Sequence, residues 1–193
     1  FALFAVLMVF KTASAGDLSG CTGKEIYVCG LEFSPQSTQI AVHTGRDVHL
    51  LDLLNAGSKR IHVGRFVEIT KIRFSSDGRL LFVAKSNRKN AFFSVPDGNL
   101  AYLIETNSRV TDARFIPKTN KIILAFWNGR IDVWDYVQNK RLQSSDGHMF
   151  GAVHLNISAN AEFLISAGAD QTLRLWRLKD LSFQRYFADG RYG

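Results

Sequence analysis

One stretch of apolar and turn-forming residues comes round four times in this chain, and the interval between copies limits the fold more than any other feature. CGLEFSPQSTQIAV returns as TKIRFSSDGRLLFV, as TDARFIPKTNKIIL and as VHLNISANAEFLIS. The apolar anchors Phe33, Phe74, Phe115 and Ile157 stand 41, 41 and 42 residues apart. A second apolar run follows each anchor and ends at a paired position, Leu51-Asp52, Phe93-Ser94, Trp134-Asp135 and Trp176-Arg177, 18 or 19 residues on. A period of this length marks a repeat architecture, in which one supersecondary unit must stack on copies of itself to bury its faces.

Alternation and turn punctuation resolve each copy into four short strands. The first runs through Val28, Leu31 and Phe33 and their counterparts. QIAV, RLLFV, KIIL and FLIS form the second, and VHLLDL, AFFSV, IDVWDY and LRLWRL the third. KRIHV, LAYLI, KRLQS and SFQRYF make a weaker fourth. Between the first and second strands lie turn-formers such as Ser34-Pro35 and Ser76-Asp77-Gly78, whose residues suit tight-turn angles. No segment carries a helical stripe. An all-β protein follows, and radial packing of four-stranded units is the β-propeller arrangement.

The expected blades cover residues 26–65, 66–107, 108–146 and 147–193, the last including the C-terminal end. Residues 1–25 are read as the remnant of a preceding blade and a linker, all within one propeller domain. FALFAVLMVF followed by KTASAG imitates a secretory signal, with Ala13-Ser14-Ala15 resembling a cleavage site. Stepping the third-strand series back one period lands on Phe10-Lys11, however, and a signal peptide has no reason to keep the register of downstream repeats. The run is therefore expected to be a strand. At ten residues it is short of the roughly 20 that a membrane helix needs. Four full repeats fall short of a ring of about seven blades, so the chain is expected to be part of a larger propeller.

These residues resemble the WD-repeat family, marked by a Gly-His pair, a V-x-x-L-x-F-S-P-D-G strand and turn, and a closing Trp-Asp. The last repeat is the fullest match: Gly147-His148 opens it, ISAGADQTLRLW fills it and Trp176 closes its third strand. The resemblance implies a hydrogen-bond chain through His148, Ser166, Asp170 and Trp176 as a structural tetrad. Earlier repeats depart from the pattern, with Gly45, Asn87 and Asn128 at the hairpin Asp position and Ala41, Val83 and Leu124 at the Ser position. The family also implies a rim built from the second-to-third-strand hairpins and the loops between blades, a common binding face. On it would sit an aromatic spot of Phe126, Trp127, Met149 and Phe150, flanked by Arg46, Lys85, Arg88 and Lys89. Trp127 is expected either there or packed between blades.

Catalytic and metal signatures are missing from the sequence. His43, His49, His62, His148 and His154 form no i,i+4 pair or H-E-x-x-H arrangement. Gly23-Lys24 lacks a phosphate cradle, with Leu18 and Glu25 where Gly and Ser or Thr are needed. Cys21 and Cys29 are too few for a disulfide scaffold and fit a reducing compartment. No cofactor, metal or small-molecule substrate is expected, and the chain is not read as an enzyme. The leading function is a non-catalytic scaffold holding protein partners in a multisubunit assembly, inside the cell in cytoplasm or nucleus and without membrane insertion. One alternative is a ribonucleoprotein component touching RNA through basic loops, which rests on the formal charge of +7. Another is the sensing or docking domain of a larger multidomain protein.

Overall fold

The structure, a computed structural model, describes residues 11–12, 27–55, 57–64 and 67–188. Two short strands, β1 (Lys11–Thr12) and β2 (Tyr27–Val28), pair in parallel near the start. The remaining described strands form four antiparallel sheets of four strands each. Blade I holds β3 (Gly30–Phe33), β4 (Gln39–His43), β5 (Asp47–Asp52) and β6 (Ser58–His62). Blade II holds β7 (Ile69–Phe74), β8 (Leu80–Lys85), β9 (Lys89–Ser94) and β10 (Leu100–Glu105). Blade III runs through β11 (Val110–Phe115), β12 (Lys121–Phe126), β13 (Ile131–Asp135) and β14 (Lys140–Ser145). Blade IV runs through β15 (Ala152–Ile157), β16 (Phe163–Gly168), β17 (Thr172–Arg177) and β18 (Ser182–Ala188). Of the expected N-terminal strand, Lys11 lies in β1, whereas Phe10 and the apolar run before it fall outside the described residues.

The first strands stand side by side, β3 against β7, β7 against β11 and β11 against β15, so the blades fan out from a common axis as in a propeller. Side chains alternate across a strand, and a blade between two others buries both faces. In β8, Leu81 and Val83 join Ala41, Val48 and Leu50 of blade I, while Phe82 and Ala84 join Val110, Ile122 and Leu124 of blade III. In β12, Ile122 and Leu124 face blade II, and Ile123 and Ala125 meet Leu155, Leu164 and Trp176 of blade IV. This is why RLLFVAK and KIILAF read as unbroken apolar runs rather than alternating ones.

The two end blades each keep one apolar face uncovered by described residues. Leu31 and Phe33 are 60% and 54% exposed on blade I. On blade IV, Ile165 and Leu173 take the places that Ile123 and Ile131 hold in blade III, yet they are 36% and 44% exposed against 0% for both counterparts.

First strands are also stitched by side chains. Thr70 and Thr111, at the same place in successive repeats, sit in β-bulges. Each hydroxyl donates to a carbonyl of the next first strand, Thr70 to Val110 and Thr111 to Ala152. Cys29 is disulfide-bonded, which the cysteine count did not anticipate.

Candidate interaction rim

Each of the four second-to-third-strand hairpins places one loop residue at positive φ: Gly45 at 84°, Arg88 at 65°, Gly129 at 86° and Gln171 at 63°. These hairpins alternate with the loops between blades, and main-chain hydrogen bonds join each to the next. Ile69 N donates to Gly45 O, Ser86 N to Glu68 O, Thr106 N to Arg88 O, Trp127 N to Arg109 O, His148 N to Gly129 O and Ala169 N to Gly151 O. The result is one continuous arc along an edge of all four blades.

Glycine is required where the arc is tightest. A Cβ on Gly129 would lie 2.0 Å from the His148 carbonyl oxygen, and one on Gly151 would lie 3.0 Å from that of Trp127. The Trp127 hairpin and the His148–Gly151 loop are thereby pressed backbone to backbone. Their side chains have nowhere to go but outward, and Trp127, Met149 and Phe150 are 71%, 80% and 64% exposed. Trp127 therefore stands on the rim and is not packed between blades.

Two other residues expected on this rim do not reach its surface. Phe126 ends β12 on the face turned to blade II and is buried in the core between blades II and III, where its ring lies beneath the Arg130 guanidinium. Lys85 is 8% exposed at the end of β8, and burial, then the Lys89 ammonium, lowers its pKa. Arg46, Arg88 and Lys89 are exposed. Arg88 and Lys89 lie one hairpin from Trp127, and Arg46 lies two hairpins away. Arg109 bridges that gap: it is exposed, its carbonyl accepts from Trp127 N, and its side chain pairs with Glu68 at 3.5 Å. Its position just before β11 is the signal that could have found it.

The loop carrying Met149 and Phe150 is anchored from below. Trp176 Nε1 donates to Ser166 Oγ at 2.9 Å, Ser166 Oγ meets His148 Nε2 at 2.8 Å, and His148 Nδ1 meets Asp170 Oδ1 at 2.9 Å. With His148 neutral, the protons run in one direction: indole to hydroxyl, hydroxyl to Nε2, and Nδ1–H to carboxylate. Burial lowers the His148 pKa, which keeps the ring in that neutral form. Asp170 also accepts from Met149 N at 3.2 Å and from the Thr172 hydroxyl at 2.8 Å. Burial pushes its carboxyl up, but the hydrogen bonds from Thr172, His148 and the Met149 amide outweigh this and bring its pKa down to about 2.

This chain of contacts spans the segment that the WD domain, G-beta repeat family model matches, residues 139–177. That one repeat resembles a WD repeat. The chain is 25% identical over 79% of its length to the WD repeat-containing protein srw1 of Schizosaccharomyces pombe, covering 29% of that protein. It is 24% identical to Protein FIZZY-RELATED 3 of Arabidopsis thaliana, over 83% of this chain and 35% of the relative. The anaphase-promoting complex subunit cdc20 of Dictyostelium discoideum is 22% identical, over 83% and 34%. The chain thus spans about a third of the length of these relatives. Among solved structures, a chain of a mitotic checkpoint complex superimposes with a TM-score of 0.77 at 16% identity, covering 83% of this chain and 49% of that one. Among the described residues no cluster of His, Cys, Asp or Glu is set to hold a metal, and no helix is long and apolar enough to cross a membrane.

Proposed function

We propose that this WD-repeat chain is a non-catalytic platform that holds a protein partner within a multisubunit assembly, and that the partner seats on Trp127, Met149 and Phe150. The exposure of these three large apolar side chains on adjoining loops carries the reading. Loop positions held by a rigid scaffold are where binding residues concentrate, and interface hot spots are enriched in aromatic side chains. Ordering cost is low because the backbone beneath is already fixed by main-chain bonds and the tetrad. Arg88, Lys89 and Arg109 flank the spot and steer acidic surfaces toward it. The relatives' names agree with such a role, one being a subunit of the anaphase-promoting complex and the solved neighbour a chain of a checkpoint complex.

The test is affinity purification of the full-length protein from its own cells, with the co-purifying subunits identified by mass spectrometry. Trp127→Ala together with Arg88→Glu is expected to strip at least one stoichiometric subunit while circular dichroism stays unchanged. Full retention of every subunit refutes the rim as the docking face. Salt separates this reading from RNA contact: binding through phosphates falls steeply between about 50 and 200 mM salt, whereas a contact centred on Trp127 and Phe150 loses little.

A further inference from the structure

On the edge opposite the rim, grooves run over the junctions between blades, and their floors differ. Over the II–III junction a groove of about 770 Å³ is floored by rings. Phe92, Tyr102, Phe115 and Tyr136 pack there, mostly edge to face, with centroids 4.9 to 6.3 Å apart. The repeat puts Val133, Gln143, Ile157 and Leu178 in the corresponding places of the III–IV junction. Val133 pairs with Gln143 across β13 and β14 just as Phe92 pairs with Tyr102 across β9 and β10. The III–IV groove, about 660 Å³, consequently has aliphatic side chains where the other has its ring cluster, and Phe163 is the one ring that lines it.

A β-bulge adds to it. Register slips between Val133 and Trp134 leave Leu142 as the extra residue of β14, which turns its side chain toward the groove beside Gln143. Leu142 is 39% exposed there. The corresponding bulge of β10 carries only Ala101. Gln143 Nε2 donates to Lys179 O at 3.1 Å and closes the groove between the two blades.

The rim of this groove is cationic. Lys121, Arg177 and Lys179 line it and are exposed, with Glu162 as the one lining carboxylate. Glu162 already accepts from Asn160 Nδ2 at 2.8 Å, and Asp180, next to Lys179, is bonded to Ser182. The II–III groove balances its charges differently, with Asp77 beside Arg79 and Lys118.

We infer that the III–IV groove is a second docking site, one that takes an acidic peptide segment seating an aliphatic side chain against Leu142, Val133 and Leu178. The size falls within the range of ligand clefts, about 300 to 1,000 Å³. Charge complementarity selects the acidic flanks, and the cluster of Leu142, Val133 and Leu178, with Phe163 as the one ring in the lining, selects an aliphatic anchor. This site is independent of the Trp127 rim and stands or falls without it.

The probe is a fluorescein-labelled peptide, Asp-Glu-Leu-Glu-Ile-Asp-Glu, titrated with the whole chain and read by fluorescence anisotropy. Saturable binding is expected. Lys121→Glu with Lys179→Glu, both exposed and remote from the core, is expected to weaken it about tenfold or more. A peptide with Ser in place of Leu and Ile is expected to bind about tenfold more weakly. Trp127→Ala is expected to leave the titration unchanged, which separates this site from the rim. Absence of saturable binding, equal binding by the Lys121/Lys179 variant with unaltered circular dichroism, or equal displacement by a short single-stranded RNA of matched charge overturns the inference.

Discussion

Asp112 is 0% exposed and holds three blades together through one carboxylate. Oδ1 accepts from Arg73 Nη2 at 2.7 Å, from Ala113 N at 2.9 Å and from Arg114 Nη1 at 3.3 Å, with Lys71 Nζ at 3.6 Å. Oδ2 accepts from Leu155 N of blade IV at 2.9 Å. Arg73 belongs to blade II and also reaches Glu32 of blade I at 2.8 Å. Replacing Asp112 by Ala leaves a buried amide without its acceptor and cations without their counter-charge. Removing one partner of a buried pair costs about 3–5 kcal/mol, a large part of the roughly 5–15 kcal/mol that a domain has. In urea, with a slope of about 2 kcal/mol/M, that is a midpoint lowered by about 2 M at unchanged slope. Asp112→Asn keeps the shape and one acceptor oxygen, so about 2 kcal/mol is expected. Adding Arg73→Met to Asp112→Ala should restore more than about 1 kcal/mol, because it removes the stranded charge. A loss below about 1 kcal/mol for Asp112→Ala, at equal slope, refutes the role assigned to this carboxylate.

Two further outcomes follow from groups described above. His43 is 5% exposed and its pKa is lowered to about 4, first by burial and then by Lys71. Its folded pKa lies below its unfolded value of about 6.5, so its contribution is complete above pH 6.5 and is lost as pH falls to 4; the loss is about 3 kcal/mol. His148 shifts in the same direction and adds to that step. Asp170, held at about 2, produces a second loss of about 2 kcal/mol between about pH 4 and pH 2. Melting temperature followed against pH should show the upper step flattened in His43→Gln and the lower in Asp170→Asn, and an unaltered upper step in His43→Gln would count against its cause. The open face of blade IV gives a paired test: Leu173→Lys should cost under about 0.5 kcal/mol and reduce self-association in light scattering, whereas Ile131→Lys, the same position one repeat earlier, should cost more than about 4 kcal/mol. Equal costs would mean that Leu173 is covered in solution.

Much of this architecture is legible in the repeat. Period and alternation place the strands of the four blades, because each strand buries one or two faces and its apolar pattern records which; Val28, read into the first of them, instead lies in β2, paired with Thr12. The members of the tetrad are named by the resemblance of the last repeat to the WD-repeat family, and hydrogen bonds join the four side chains in the structure. Exposure at strand ends is harder to read. Phe126 and Lys85 each precede a hairpin, and whether the last strand residue points into the junction depends on register, not on composition. Contacts between neighbouring blades also escape a reading made one repeat at a time. Lys71 and Asp112 occupy the same place in successive repeats, as ITKIRF and VTDARF show. Comparing repeats position by position for opposite charges would have exposed the Asp112 cluster.

The hairpins and loops of the rim are joined edge to edge through amide and carbonyl groups, and side chains add anchors at a few places, His148 on Asp170 and Arg109 on Glu68 among them. Away from those anchors and from the glycines needed for close approach, the identity of a rim residue is therefore decoupled from the bond that holds its loop in place. Side chains at Trp127, Met149 or Phe150 can be exchanged without redesigning the support beneath, which makes this arc a natural place to graft new recognition onto an unchanged frame.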